Sequence, residues 1–408
     1  MLSLVFLLVP AYNTCQIMGT VGAVMTQSEQ VVLYLVRKAL FGTEELFPHN
    51  IEWKDVFQEA QVQSVVGLTA KVLPDDMPLS IKSEWETLAL SQLKDAIRNW
   101  NAQDALHLLL TQNGIPYVIL KGAAAAMLYP NPFSRAMGDI DFLVPPEHFE
   151  QTKALLAENG YQTNHEDSDR HIAYSKKGVS YELHYKFSYR DLDIENILQA
   201  MIPHAELHET GGHSFYTLPT RENGLVLLAH LWNHLHTGIG LRQVIDWMMY
   251  VHTYVTDVFW NTQFSNLAEQ VGLKKTAITA TRMCQKYFLL PDQITWCASA
   301  DESLADKMMK MVVEYGNFGR KQVNQGEAER KAKTALSGAS RIGLFRQLQN
   351  RGEVNWKAYH KHHWLKPFAW LYQLFRYAVL WLIKPKKQKL SSILRQQSET
   401  NDLFEQLK

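Results

Sequence analysis

Apolar positions recur at helical spacing through residues 28–113. Val31, Val32, Tyr34, Leu35 and Leu40 fall on one face, and the stretch from Ile81 to Gln112 stays periodic until Asn113-Gly114 supplies a stop. The pattern then shortens. Tyr117-Val118-Ile119-Leu120, bounded by Pro116 and Gly122, predicts a buried strand. Ala123 to Tyr129 predicts a helix stopped by Pro130, followed by a loop over 130–138. Asp139 to Val144 predicts a second strand, ended by Pro145-Pro146, after which a helix runs to Asn159-Gly160. His171–Lys176 and Ser180–Lys186 predict an antiparallel pair turning at Lys177-Gly178. From Thr220 to about residue 315 the spacing is helical again.

This alternation predicts an α+β protein: a small mixed or antiparallel palm-like sheet between predominantly helical N- and C-terminal regions. The expected units are a helical region over 25–114, the sheet core over 115–218 and a helical domain over 219–316. A mobile basic segment over 317–355 and an aromatic, basic C-terminal helix and tail over 356–408 follow. Residues 1–24 are apolar, but no Lys or Arg precedes the run and Pro10 breaks it, so they read as a mis-assigned start or a disordered lead. From Met25 the chain reads as an ordinary capped helix start.

Composition narrows the function. With 41 Lys plus Arg against 41 Asp plus Glu, the chain lacks the positive excess of a long nucleic-acid binder. Three cysteines with no CxxC pair argue against a disulfide scaffold and fit a cytoplasmic location. Seven basic and no acidic residues between Lys366 and Gln396, around an aromatic helix, fit either a packed helix with a solvated tail or peripheral membrane contact through residues 366–396.

The chemistry gathers in the central portion. Asp139 and Asp141, two apart on a strand, share a face, and paired carboxylates repel unless a cation lies between them. Asp-x-Asp alone is more often a solvated strand edge. Glu182, however, lies on another expected strand with His184 on the same face, and three carboxylates together suit Mg²⁺ or Mn²⁺ carrying a nucleoside triphosphate. Lys121-Gly122 stands at a strand-to-helix junction where phosphate can approach the backbone, and Arg135 offers a fork of donors before the aspartates.

In this order, Val118-Ile-Leu-Lys-Gly-Ala, Tyr129-Pro, Arg135, Gly138-Asp-Ile-Asp-Phe-Leu-Val and Glu182-Leu-His resemble the nucleotidyltransferase superfamily with the DNA polymerase β-like palm. The resemblance is closest to an uncharacterised bacterial branch in which Lys-Gly replaces Gly-Ser. It covers residues 115–190 and continues more weakly through His230, Arg242 and Asp246. It implies that Asp139, Asp141 and Glu182 are metal ligands and that Gly122 and its flanks meet the triphosphate. The implied reaction is transfer of an NMP from an NTP to an acceptor. Ala123 departs from the pattern, standing where the superfamily has a phosphate-binding Ser.

Two alternatives remain open: a nucleotide-binding or regulatory module with little or no turnover, and a membrane-surface accessory of surface-polysaccharide assembly. His230 and His234 are i and i+4 and read as cleft-lining or buried-contact residues rather than a zinc pair. Arg242 and Asp246, also i and i+4, read either as an ion pair on one helix or as the back of the cleft.

Overall fold

The computed structural model describes residues 25–45, 47–167, 171–187, 192–291, 293–324, 349, 352, 356, 363–383 and 402–407. The opening segment over 1–24 and most of 322–362 and 384–401 lie outside what is said below.

The first helix, α1 (Gln27–Phe41), begins where the sequence puts it. Thr26 accepts from the Glu29 amide while Glu29 accepts from the Thr26 amide, and Gly42 at φ 67° closes the far end. α2 (Trp53–Val62) packs on α1. α3 (Leu79–Gln112) is a single helix of 34 residues. Its first half buries Trp85 in the helical core, and its second half buries Trp100, Leu106 and Leu110 against the sheet unit.

The sheet follows. β1 (Val118–Ile119) leads into the short helix α4 (Ala123–Ala126), and β2 (Asp139–Leu143) comes after the 130–138 connection. The Ala123–Tyr129 helix is thus shorter than expected, and Pro132–Ser134 makes a 3-10 turn that Asn131 caps. α5 (Phe149–Glu158), β3 (Gln162–Asp167), β4 (His171–Lys176) and β5 (Val179–His184) complete the unit. The strand order is β1-β2-β5-β4-β3, with β2 and β5 parallel and the other neighbours antiparallel. The sheet is therefore mixed.

Alternation sorts the residues by face. Ile140, Phe142, Ile172, Tyr174, Tyr181 and Leu183 bury into one apolar cluster with the second half of α3. Asp139, Asp141, Glu182 and His184 occupy the other face. α6 (Glu195–Met201) and the hairpin β6 (Glu206–Thr210)–β7 (His213–Thr217) lead out of the sheet unit.

α7 (Thr220–Thr237), α8 (Leu241–Tyr254), α9 (Lys274–Phe288) and α10 (Glu302–Tyr315) form the helical half with α1 and α2 around one large cluster. From Glu222 to Leu235 every residue of α7 is buried. The loop that turns α7 into α8 presses against residues 316–319. A Cβ on Gly238 would lie 2.3 Å from the Gly319 amide nitrogen, and one on Gly240 2.5 Å from that of Asn317.

The start of the segment over 317–355 packs onto the helical half. Asn317 accepts from Gln243 at 2.8 Å, and Lys321 pairs with Glu59 at 2.6 Å and Glu29 at 2.8 Å. Residues 325–348 lie outside the description.

α11 (Ala369–Ile383) buries Ala369 and Gln373 and exposes Leu371, Leu374 and Phe375, and the preceding turn exposes Phe368. Among the described residues, no helix is long and apolar enough to cross a membrane.

Candidate metal and nucleotide site

Parallel pairing of β2 with β5 brings the expected carboxylates together. Asp141 and Glu182 are register partners, and Asp139 lies one same-face step back along β2. One carboxylate oxygen from each of Asp139, Asp141 and Glu182 lies within 4.8 Å of the others. Asp141 is almost completely buried, whereas Asp139 and Glu182 keep partial access to solvent.

The electrostatics follow from crowding. The Asp141 charge, followed by burial, pushes Asp139 up to about 6. Burial also opposes ionisation of Asp141, but Lys121 and His184 overcome it and hold that carboxyl well below the usual range. Lys121 Nζ lies 2.6 Å from Asp141 Oδ1, and His184 Nε2 approaches the same oxygen at 2.9 Å. Burial favours neutral His184, but bonds to Asp141 and Glu182 outweigh it and raise its pKa. Three oxygen ligands at this spacing suit a hard divalent ion.

Lys121 and Gly122 form the tight junction before α4, with φ of 35° and 47° in succession. Gly122 combines that φ with ψ −113°, a conformation that L side chains avoid. This turn sets the Lys121 side chain over the aspartates. The Ala123 methyl is fully buried in the sheet-unit cluster.

Arg135, expected at the triphosphate, is engaged elsewhere. Its Nε and Nη2 donate to the two oxygens of Asp246 at 2.7 Å each, and Tyr129 Oη donates to the same carboxylate at 2.7 Å. The side chains of Arg135 and Asp246 are 4% and 1% exposed. The reading of Arg242 and Asp246 as an ion pair within one helix is thereby corrected, because Asp246 turns to a residue 111 positions away that offers a bidentate fork.

Arg242 instead points at the loop before β2, where Nη1 donates to the Ala136 carbonyl at 3.1 Å. Its Nε has no hydrogen-bond partner. Burial and the neighbouring Arg135 charge lower its pKa, the signature of a cation short of counter-charge.

His230 and His234 meet on the buried face of α7, Nε2 to Nε2 at 3.0 Å. His234 Nδ1 donates to the Gly238 carbonyl at 3.2 Å, so its Nε2 accepts and His230 Nε2 donates. Burial, then the His234 ring and the charges of Lys121, Arg242 and Arg135, hold His230 well below its usual value. Burial and Arg242 bring His234 down to about 3. Both rings are neutral lining beside a positively charged zone.

His171 was not legible as a site residue from local pattern. In β4 it stands opposite His184, with ring centroids 5.2 Å apart, and its Nε2 lies 3.6 Å from Glu182. Counting back in pairs from the Lys177-Gly178 turn is the signal that finds it.

No curated protein matches the chain significantly. Among solved structures, an antigenic nucleotidyltransferase-like protein from Paracoccidioides brasiliensis is similar at 15% identity, over 49% of this chain and 97% of its own, with a TM-score of 0.29. Residues 49–289, which include the whole sheet unit and the site, match the family model described as uncharacterised nucleotidyltransferase. That span is more than half of the chain, and the protein belongs to this nucleotidyltransferase family.

Proposed function

We propose that the protein transfers an NMP from an NTP to an acceptor hydroxyl, releasing pyrophosphate. The observation that carries the reading is the convergence of Asp139, Asp141 and Glu182 within 4.8 Å on adjacent parallel strands. These three residues would hold Mg²⁺ or Mn²⁺, and the bound ions would neutralise charge on the attacking and leaving oxygens at the α-phosphorus.

The protein's own groups do the rest. Lys121 swings from Asp141 to the polyphosphate once the carboxylates have another counter-charge. Gly122 keeps the backbone low enough for phosphate to approach. Arg242, whose Nη1 reaches the Ala136 carbonyl in the loop before β2, adds positive charge from the helical side. Arg135 holds Asp246 and so fixes the loop that delivers Asp139. Glu182, with 22% of its side chain exposed, takes the acceptor proton as the acceptor oxygen bonds to phosphorus and the bond to pyrophosphate breaks. Positioning and charge stabilisation supply most of the rate.

The test is incubation of the purified chain with each α-phosphate-labelled NTP and Mg²⁺ or Mn²⁺, with and without cell extract, beside an Asp139→Ala/Asp141→Ala protein. Label transferred by wild type and lost in the variant supports the reading and identifies the acceptor class. No transfer and no metal-dependent nucleotide binding overturns it.

A second reading, a nucleotide-binding module without turnover, is favoured by one observation. Position 123 carries a methyl buried in the core in place of a phosphate-binding hydroxyl. Nucleotide binding without pyrophosphate release, even with extract present, separates that reading from the first.

A further inference from the structure

We propose that His171, Glu182 and His184 form a mixed imidazole–carboxylate metal site, beside the aspartate pair and sharing Glu182 with it, that selects borderline transition ions such as Zn²⁺ or Co²⁺ over Mg²⁺. The inference goes beyond nucleotidyl transfer, because it concerns an ion of different chemistry and holds whether or not the protein turns over.

The strand geometry builds the set. His171 and His184 are direct cross-strand partners in the antiparallel pair β4–β5, and Glu182 precedes His184 by one same-face step. All three project from the sheet face opposite the apolar cluster.

The spacing is that of ligands around an ion. A tetrahedral site with bonds of about 2.1 Å has ligand-to-ligand edges of about 3.4 Å. Glu182 Oε2 lies 3.3 Å from His184 Nε2, and Glu182 Oε1 lies 3.6 Å from His171 Nε2. One donor atom from each of the three residues fits within a 4.8 Å group. Both Glu182 contacts exceed the 2.7–2.9 Å typical of a charge-assisted hydrogen bond. His184 Nε2 also bonds to Asp141 Oδ1 at 2.9 Å, and an ion at this site would take the place of that bond.

Access is graded. The His184 side chain is 1% exposed, His171 18% and Glu182 22%, so His184 forms the buried side of the set and the other two its solvent side. Mg²⁺ takes oxygen ligands and leaves water reluctantly, whereas imidazole suits Zn²⁺ and Co²⁺. Asp139 and Asp141 offer only oxygen. The sheet face therefore carries two neighbouring sets of unlike donors, joined by Glu182.

The experiment uses the full chain, stripped with a chelator and held in excess Mg²⁺. Co²⁺ is titrated and followed by its visible d–d absorption, with Zn²⁺ as competitor. Wild type is expected to bind one Co²⁺ with the intense absorption of low coordination number, and Zn²⁺ to displace it. His171→Ala removes a ligand at the outer edge, and is expected to weaken Co²⁺ at least about tenfold while leaving Mg²⁺ binding unchanged. His171→Cys restores a ligand, and is expected to recover Co²⁺ with an added sulfur charge-transfer band.

Displacement of Co²⁺ by equimolar Mg²⁺, or equal Co²⁺ affinity in wild type and His171→Ala, overturns the proposal. No nucleotide enters the measurement, so failure of the transfer assay and failure of this site are read separately.

Discussion

Replacing Asp246 by Ala tests how the two halves of the molecule are joined at the site. Asp246, on α8, accepts from Arg135 twice and from Tyr129 once, all at 2.7 Å, and the Arg135 and Asp246 side chains are nearly inaccessible. Burial by itself would discourage the Arg135 charge, and the Asp246 carboxylate more than restores it. Without that carboxylate the guanidinium stays buried with Arg242 as an unfriendly neighbour. Stranding a buried charge costs about 3–5 kcal/mol. The orphaned Tyr129 hydroxyl adds about 1–2 kcal/mol. The sum is a large share of the roughly 5–15 kcal/mol that holds a typical protein folded.

Urea unfolding followed by tryptophan fluorescence, at unchanged denaturant slope, reads the loss. The companion variant is Tyr129→Phe/Arg135→Met/Asp246→Leu, which removes every member of the network and keeps the volume. It is expected to stand within about 2 kcal/mol of wild type, because apolar residues of similar size replace a buried ion pair at little cost. A single-variant loss below about 1 kcal/mol, or a triple variant as unstable as the single, would refute the reasoning.

Four further outcomes follow from the site and the C-terminal helix. In metal-free protein Asp139 titrates near 6, above its ordinary 3.8, so its stabilising contribution is complete below about 3.8 and is lost as pH rises through about 6. Asp139→Asn should therefore be more stable than wild type at pH 7.5 in chelator, by on the order of 2–3 kcal/mol, and the advantage should vanish near pH 4 in a thermal or urea series. Gly122→Ala forces a side chain into φ 47°, ψ −113°, and should cost about 1–3 kcal/mol of stability and weaken metal-dependent nucleotide binding in a calorimetric titration. Arg242→Ala should raise the dissociation constant for an NTP about tenfold or more, with Mg²⁺ binding unchanged. Phe368, Leu371 and Phe375 are exposed at and just before the start of α11; under the membrane-contact alternative the chain floats with phosphatidylserine vesicles and Leu371→Glu/Phe375→Glu stays with the unbound fraction, whereas under the packed-helix alternative neither floats.

What was legible in the sequence is what alternation and spacing encode. β2 and β5 carry buried apolar residues at every second position, so the faces of Asp139, Asp141, Glu182 and His184 could be assigned before any coordinates, and parallel neighbourhood then brought the carboxylates together. The α1 cap and the stop of α3 were readable for the same local reason. β3 and β6 were not, because Gln162–Asp167 and Glu206–Thr210 are polar edge segments with little apolar pattern. The buried partner of Arg135 was not readable because Asp246 lies 111 residues away, and no local signal distinguishes a phosphate clamp from a buried structural fork. His171 depended on a register that becomes visible only when pairs are counted from the turn.

The 34-residue span of α3 has a mechanical consequence. At 1.5 Å per residue it is a rod about 50 Å long, anchored by Trp85 in the helical core and by Trp100 and Leu110 in the sheet unit. A rod clamped at both ends resists hinging, and the Arg135–Asp246 bond braces the same two masses on the cleft side. The helical half and the sheet unit are therefore held at a fixed spacing beside the carboxylates. Under the proposed transfer reaction, adaptation to a bulkier acceptor would have to come from side chains at the rim of the site rather than from the frame opening.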